Sequence, residues 1–185
     1  MVGVWLLLPF FLLRFGLLAL LDRQAVGWAA HFAPMYGGER AAYWVYQLSN
    51  LAILLFILTA RIQTEPSPFL FGGLVLYGAG LLLLALAVAA FASPAKDGVR
   101  RTGVYRFSRN PMYVAYFLYF LGCSLLARSP LLAVLVLGFQ ASAHWVILAE
   151  ERWCDRQFGE AYLQYMKSVR RYLGPPAKFP PEEST

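Results

Sequence analysis

Charge is scarce in this chain, and so are the residues that build metal clusters. Charged residues make up 14% of its 185 positions, where a soluble domain carries about a quarter. Only two cysteines and two histidines occur. Cys123 falls inside an apolar run and Cys154 in a polar segment, which argues against a disulfide framework or a metal site and leaves both thiols free. No basic run is interleaved in the way that nucleic-acid binding needs, so the net charge of +6 points to a membrane surface. Hydrophobic residues fill the space, at 59% of the chain with a mean hydropathy of +0.55.

Several apolar runs approach the roughly 20 residues needed to cross a hydrocarbon core. They define an all-α, polytopic membrane protein of about five transmembrane helices, at 3–21, 42–60, 69–92, 112–127 and 130–149. The first lacks a basic leader and a small-residue cleavage site and carries Arg14, so it reads as a retained span and not a signal peptide. The fourth is short. Only Arg128-Ser129-Pro130 separates it from the fifth, which demands a tight helical hairpin.

Basic residues are distributed unevenly between the two faces. One face collects Arg23, Arg40, Lys96, Arg100, Arg101, Arg106, Arg109, Arg152, Arg156, Lys167, Arg170, Arg171 and Lys178; the other holds Arg61 and Arg128. The positive-inside rule makes the first face cytoplasmic, with the N-terminus outside and the C-terminus inside, in a cell inner membrane or its equivalent. The 22–40 connection, with Trp28, Phe32, Met35 and Tyr36, reads as interfacial, and His31 within it as unremarkable. After Glu150 the helical pattern continues into short cytosolic C-terminal helices, broken near Phe158-Gly159, with a stripe of Phe158, Tyr162, Tyr165, Met166, Val169 and Tyr172. Residues 175–185 read as a flexible tail.

Two polar clusters flank the hairpin. Before it lies Gly103-Val-Tyr-Arg-Phe-Ser-Arg-Asn-Pro-Met-Tyr113, and after it Glu150-Glu151. Adjacent residues on a helix point about 100° apart, so the glutamates cannot both face one ligand squarely. Neither has a basic residue at i±3 or i±4, whereas Arg152–Asp155 and Arg156–Glu160 have ordinary helix-pair spacing. The glutamates either end the span at the headgroups or meet Arg106, Arg109 or a cationic ligand across the hairpin mouth. Pro111 suits the first turn of the fourth span, and the free N–H groups after it, with Arg109, favour an anion. The same arginines serve equally as a plain anchor. Tyr113, Tyr116, Phe117 and Phe120 share one face, for packing, lipid contact or a pocket. His144 lies deeper in the fifth span, either functional or bonded to a neighbouring helix. Arg14 either snorkels to the interface or holds a lipid headgroup.

The two clusters together resemble the integral membrane methyltransferases typified by isoprenylcysteine carboxyl methyltransferase and the phospholipid N-methyltransferases. That family carries Gly-x-Tyr-x-x-x-Arg-His-Pro-x-Tyr before a helical hairpin and Glu-Glu-x-x-Leu-x-x-x-Phe-Gly-x-x-Tyr-x-x-Tyr after it. Here Gly103, Tyr105, Arg109, Pro111 and Tyr113 fill the first, with Asn110 in place of histidine. Glu150, Glu151, Phe158, Gly159, Tyr162 and Tyr165 fill the second, with Cys154 in place of leucine. The resemblance spans roughly 98–174. With the span count it divides the chain into a three-span region over 1–92 and a methyltransferase core over 93–174.

It further implies S-adenosylmethionine as cofactor, bound by Gly103, Tyr105, Arg109, Asn110, Pro111, Tyr113, Glu150 and Glu151 at the cytoplasmic face. Glu150 or His144 would take a proton from an amine or thiol acceptor, and Arg156 would orient an anionic one. The acceptor would be a membrane lipid or a small hydrophobic molecule, such as a prenylcysteine-like carboxylate or a phospholipid amine. The alternative is a non-catalytic membrane scaffold. A transporter is disfavoured, because the polar residues cluster at one face and not at the midplane.

Overall fold

A computed structural model describes residues 2–21, 33–93, 95, 97–177 and 179. Trp28, Phe32, His31, Arg23, Lys96, Lys178 and tail residues 180–185 lie outside the described residues. Among the described residues six helices follow one another: α1 (Val4–Leu21), α2 (Gly38–Thr59), α3 (Pro68–Ala92), α4 (Pro111–Leu126), α5 (Pro130–Phe158) and α6 (Glu160–Ser168). A 3-10 turn at Gly103–Arg106 precedes α4. Helices α1, α2, α3 and α5 are long and apolar enough to cross a membrane, and α4 is a shorter apolar helix. Among the described residues the protein is all-helical, with four helices able to cross a membrane and a shorter apolar fifth, roughly the five spans expected.

Three helices begin where a polar residue precedes proline. The Ser67 and Ser129 hydroxyls each accept from the backbone N–H three residues on, at 3.2 Å, capping α3 and α5. Pro68, Pro130 and Pro111 take the first helical position, where their missing N–H leaves no bond unmade. Arg128 turns the chain between α4 and α5 with φ +45° and donates from Nη2 to Ser67 Oγ at 2.8 Å. Both caps are thereby tied together at the end of the bundle opposite the glutamates.

Packing is led by α3 against α4 and by α2 against α5. Glycines allow the first of these. A Cβ on Gly80 would sit 2.5 Å from Tyr119 N, and one on Gly122 would collide with Tyr77 N and stand 2.9 Å from Gly73 O. Backbones approach this closely in membranes through small residues, because packing supplies the attraction that water supplies elsewhere. Tyr77 and Tyr119 then both donate to Leu6 O of α1, at 3.1 and 2.9 Å. Helix α1 contains Pro9 and winds as a π-helix over Leu12–Leu17.

At 1.5 Å per residue, the twenty steps from Pro130 to Glu150 cover about 30 Å, the thickness of the hydrocarbon core. Glu150 therefore stands at a membrane boundary. Beyond it the helix runs on to Phe158 and breaks at Gly159, whose φ of +53° is a left-handed conformation. Residues Tyr162, Tyr165, Val169, Val99 and Ala177 form a small second core under α6.

Candidate functional site

The Asn110-Pro111 start of α4 and the Glu150-Glu151 pair of α5 meet at the end of the bundle where the chain leaves the membrane. Glu151 turns inward and is 5% exposed. It forms ion pairs with Arg109 at 3.1 Å and Arg171 at 2.9 Å, and Asn110 Nδ2 donates to its Oε1 at 3.2 Å. Arg109 also donates to Met166 O at 3.0 Å, and Asn110 Nδ2 to Arg171 O at 3.2 Å. One buried carboxylate thus binds the hairpin mouth to the chain beyond α6. A buried charge persists only when its lone pairs are filled in this way. The bond to Glu151 is also the main cause that raises the pKa of Arg171 above its ordinary value.

Backbone bonds complete the seam. Arg109 N donates to Arg170 O at 3.0 Å, Gly174 N to Phe107 O at 2.9 Å and Ala177 N to Arg106 O at 2.9 Å. The Tyr165 hydroxyl donates to Tyr105 O at 2.8 Å. Burial pushes the Tyr105, Tyr162 and Tyr165 hydroxyls well above the ordinary tyrosine range, so they remain protonated donors here.

Glu150 faces the other way, where its Oε1 accepts from the Tyr113 hydroxyl at 2.8 Å. Both line a cavity of about 460 Å³, within the range of about 300–1,000 Å³ usual for small-molecule sites. Its membrane end is formed by Arg14, Tyr46, Met112 and Tyr116. At its polar end stand Val99, Arg100, Tyr105, Arg109 and Asn110, and Trp153, Cys154, Phe158, Tyr162 and Tyr165 wall the side beneath α6. Two of its lining atoms are buried without a hydrogen-bond partner among the described residues, Arg109 Nε and the Tyr116 hydroxyl. Orphaned buried donors are rare in folded proteins and mark places that await a ligand or water.

Of the residues singled out by sequence, Tyr105, Arg109, Asn110, Pro111, Tyr113, Glu150 and Glu151 come together around this cavity. Gly103, His144 and Arg156 are not among its lining residues. Gly103 takes φ +55° in the 3-10 turn. His144 Nδ1 bonds the Tyr172 hydroxyl at 2.7 Å, in the segment beyond α6 and not on a neighbouring helix. Arg156 is exposed in the last turn of α5. Arg106 does not reach a glutamate; its Nε donates to Ala177 O at 3.0 Å. Nor does Arg152 bond Asp155 as local spacing suggested: it grips both carboxylate oxygens of Glu39 of α2, at 2.8 and 2.6 Å, and such a bidentate pair outcompetes a single i+3 contact. Both cysteines are free.

Sequence reading left open whether Arg14 belongs to this site and did not anticipate Arg100, Trp153 or Arg171 there. The only signal for Arg14 was its charge inside an apolar run.

Residues 85–161 match the model of the phospholipid methyltransferase family. The matched segment runs from the last turns of α3 through the hairpin to the start of α6, and therefore includes the first motif, the second as far as Gly159, and most of the cavity wall. It indicates a membrane methyltransferase and agrees with the resemblance to the isoprenylcysteine carboxyl and phospholipid methyltransferases. Neither the curated proteins nor the solved structures yield a match to the chain.

Proposed function

We propose that this protein is an S-adenosylmethionine-dependent methyltransferase whose acceptor is lipidic or hydrophobic, with the hairpin mouth on the cytoplasmic face. The observation that carries the reading is the cavity between Glu150 and the orphaned Arg109 Nε, both of which lie within the matched segment.

The cavity's own chemistry fits the cofactor. It offers a carboxylate for an ammonium or ribose hydroxyls at Glu150, a buried donor for a carboxylate at Arg109 Nε, and aromatic faces at Tyr105, Trp153, Phe158 and Tyr162 for an adenine. When bound, the cofactor supplies a sulfonium-activated methyl group. The chain then has to align an acceptor in line with that group and keep water out, and proximity of this kind accounts for much of a transfer rate. Tyr113 fixes one Glu150 oxygen, so that the other is aimed by a rigid hydrogen bond. Glu150 accepts the proton when the acceptor is an amine, whereas a carboxylate acceptor needs no base. The seam around Glu151 holds the α6 side against the hairpin, so the cofactor end of the cavity is closed by a charged clasp and not by loose loop.

Calorimetric titration of S-adenosylmethionine into the detergent-purified protein tests this reading. Micromolar binding by wild type, weakened at least tenfold in Glu150→Gln with folding intact, is the expected result. A well-folded wild type that binds no cofactor in the presence of lipid would overturn it.

A further inference from the structure

The membrane end of the cavity holds a second constellation, built on α1 and α4. Arg14 lies on the π-wound turn of α1, some seven residues and about 10 Å along the helix from its end at Leu21. Neither Arg14 nor any part of α1 falls within the matched segment. A guanidinium at this depth costs several kcal/mol unless it faces a cavity or a partner, and π-turns inside α-helices concentrate at functional sites. Its Nη1 reaches the Met112 sulfur at 3.9 Å, and its carbon stands 5.7 Å from the Tyr116 ring centroid. Tyr116 itself is 8% exposed, lines the same cavity, and its hydroxyl has no partner among the described residues. A phenol buried in this way forfeits a hydrogen bond unless something enters the cavity to accept it.

We propose that Arg14 and the Tyr116 hydroxyl form a subsite for the anionic group, a phosphate or a carboxylate, of an amphiphilic acceptor. The guanidinium offers a planar fork of donors to either anion, and the phenol supplies one more from the α4 side. Rings of Phe10, Phe11 and Phe15 lie along α1 on the same stretch, with Phe11 and Phe15 exposed where lipid would surround the helix. An acyl or prenyl chain can thus remain in hydrocarbon while the charged group turns inward. The carboxylate of the cofactor is the other anion available to such a pair. Depth favours the acceptor: Tyr116 is five residues, about 7.5 Å, inside the start of α4, whereas a water-soluble cofactor enters from the polar end where Arg109 and Asn110 lie. The acceptor identity rests on the methyltransferase reading; the anion subsite does not.

The test uses the full chain in detergent and two probes, lysophosphatidylethanolamine and a monoacylglycerol of the same chain length, titrated calorimetrically beside S-adenosylmethionine. Wild type is expected to prefer the phosphate-bearing lipid at least tenfold. Arg14→Gln and Tyr116→Phe should abolish or halve that preference logarithmically, Arg14→Lys should keep part of it, and cofactor affinity should stay within twofold in all three. No preference in wild type, or an unchanged preference in folded Tyr116→Phe and Arg14→Lys, would overturn the subsite. Loss of cofactor binding with lipid preference retained would also overturn it, by assigning the anion to the cofactor. An Arg14-dependent lipid preference in a wild type that binds no cofactor would uphold the subsite and sink the methyltransferase reading instead.

Discussion

The Tyr113 hydroxyl donates to Glu150 at 2.8 Å, across the 37 residues of the hairpin that separate them in sequence. Next door, Glu151 is claimed by Arg109 and Arg171. Two adjacent carboxylates have therefore divided their work: one is consumed by the scaffold and the other is left to the cavity. Helical geometry imposes the division, since neighbours point about 100° apart.

That division is measurable as stability. Glu151→Ala leaves the buried Arg109 guanidinium, 8% exposed, without its carboxylate, and stranding a buried charge costs about 3–5 kcal/mol. Glu150→Gln keeps an acceptor for Tyr113 and should cost under about 1 kcal/mol by comparison with an ordinary hydrogen-bond change. Denaturant or thermal unfolding of both variants in detergent checks the contrast. Equal losses would mean that Glu150 is structural too.

Tyr113→Phe separates orientation from binding. It removes the donor that holds Glu150 and leaves the carboxylate itself in the cavity. The expected result is a stability loss of about 1–3 kcal/mol, the usual cost of stranding one buried partner. Methyl transfer to an amine acceptor should fall at least tenfold, as expected when a general base loses its alignment, while cofactor affinity changes little. Unchanged transfer rates in that variant would remove Tyr113 from the site.

Much of this arrangement was legible in the residues. Polar-Pro pairs at Ser67, Asn110 and Ser129 marked three helix starts, because capping and N1 proline are local effects that the chain carries in two letters. The meeting of a glutamate with Arg109 was also readable, since the hairpin fixes both at one depth. Which glutamate would do so was not, because the answer depends on how α5 is rotated against α4. The Glu39–Arg152 pair lies 113 residues apart and competed with a plausible local partner, so only packing decides it. The close approach of α3 and α4 did leave a trace: Gly73 and Gly80 are seven residues apart, on one face of α3, opposite Gly122.

Those glycines give a paired test. Gly80→Ala places a Cβ 2.5 Å from the Tyr119 backbone, which cannot swing aside as a flexible side-chain tip can. It should destabilise by about 1–3 kcal/mol or more, as overpacking does. Gly78→Ala, two residues away on the same helix, meets nothing within 4 Å and should be neutral or gain up to about 1 kcal/mol from helix propensity. Similar melting temperatures for the two variants would show that α3 and α4 are not packed through this face.

Glu39 and Arg152 join α2 to α5 beside the site, and a double-mutant cycle reports what that contact contributes. The arginine side chain is 36% exposed and the carboxylate 18%, so water and salt screen much of the attraction. A coupling energy of about 1 kcal/mol or less is expected for such a pair, shrinking further when salt is raised from 50 to 500 mM, in keeping with a Debye length that falls below about 5 Å at that strength. The bidentate geometry also holds Arg152 beside the Tyr36 ring, 5.8 Å from its centroid. A coupling well above 3 kcal/mol, insensitive to salt, would instead mean that α2 and α5 exclude water from this pair and that Arg152 belongs to the interior of the bundle.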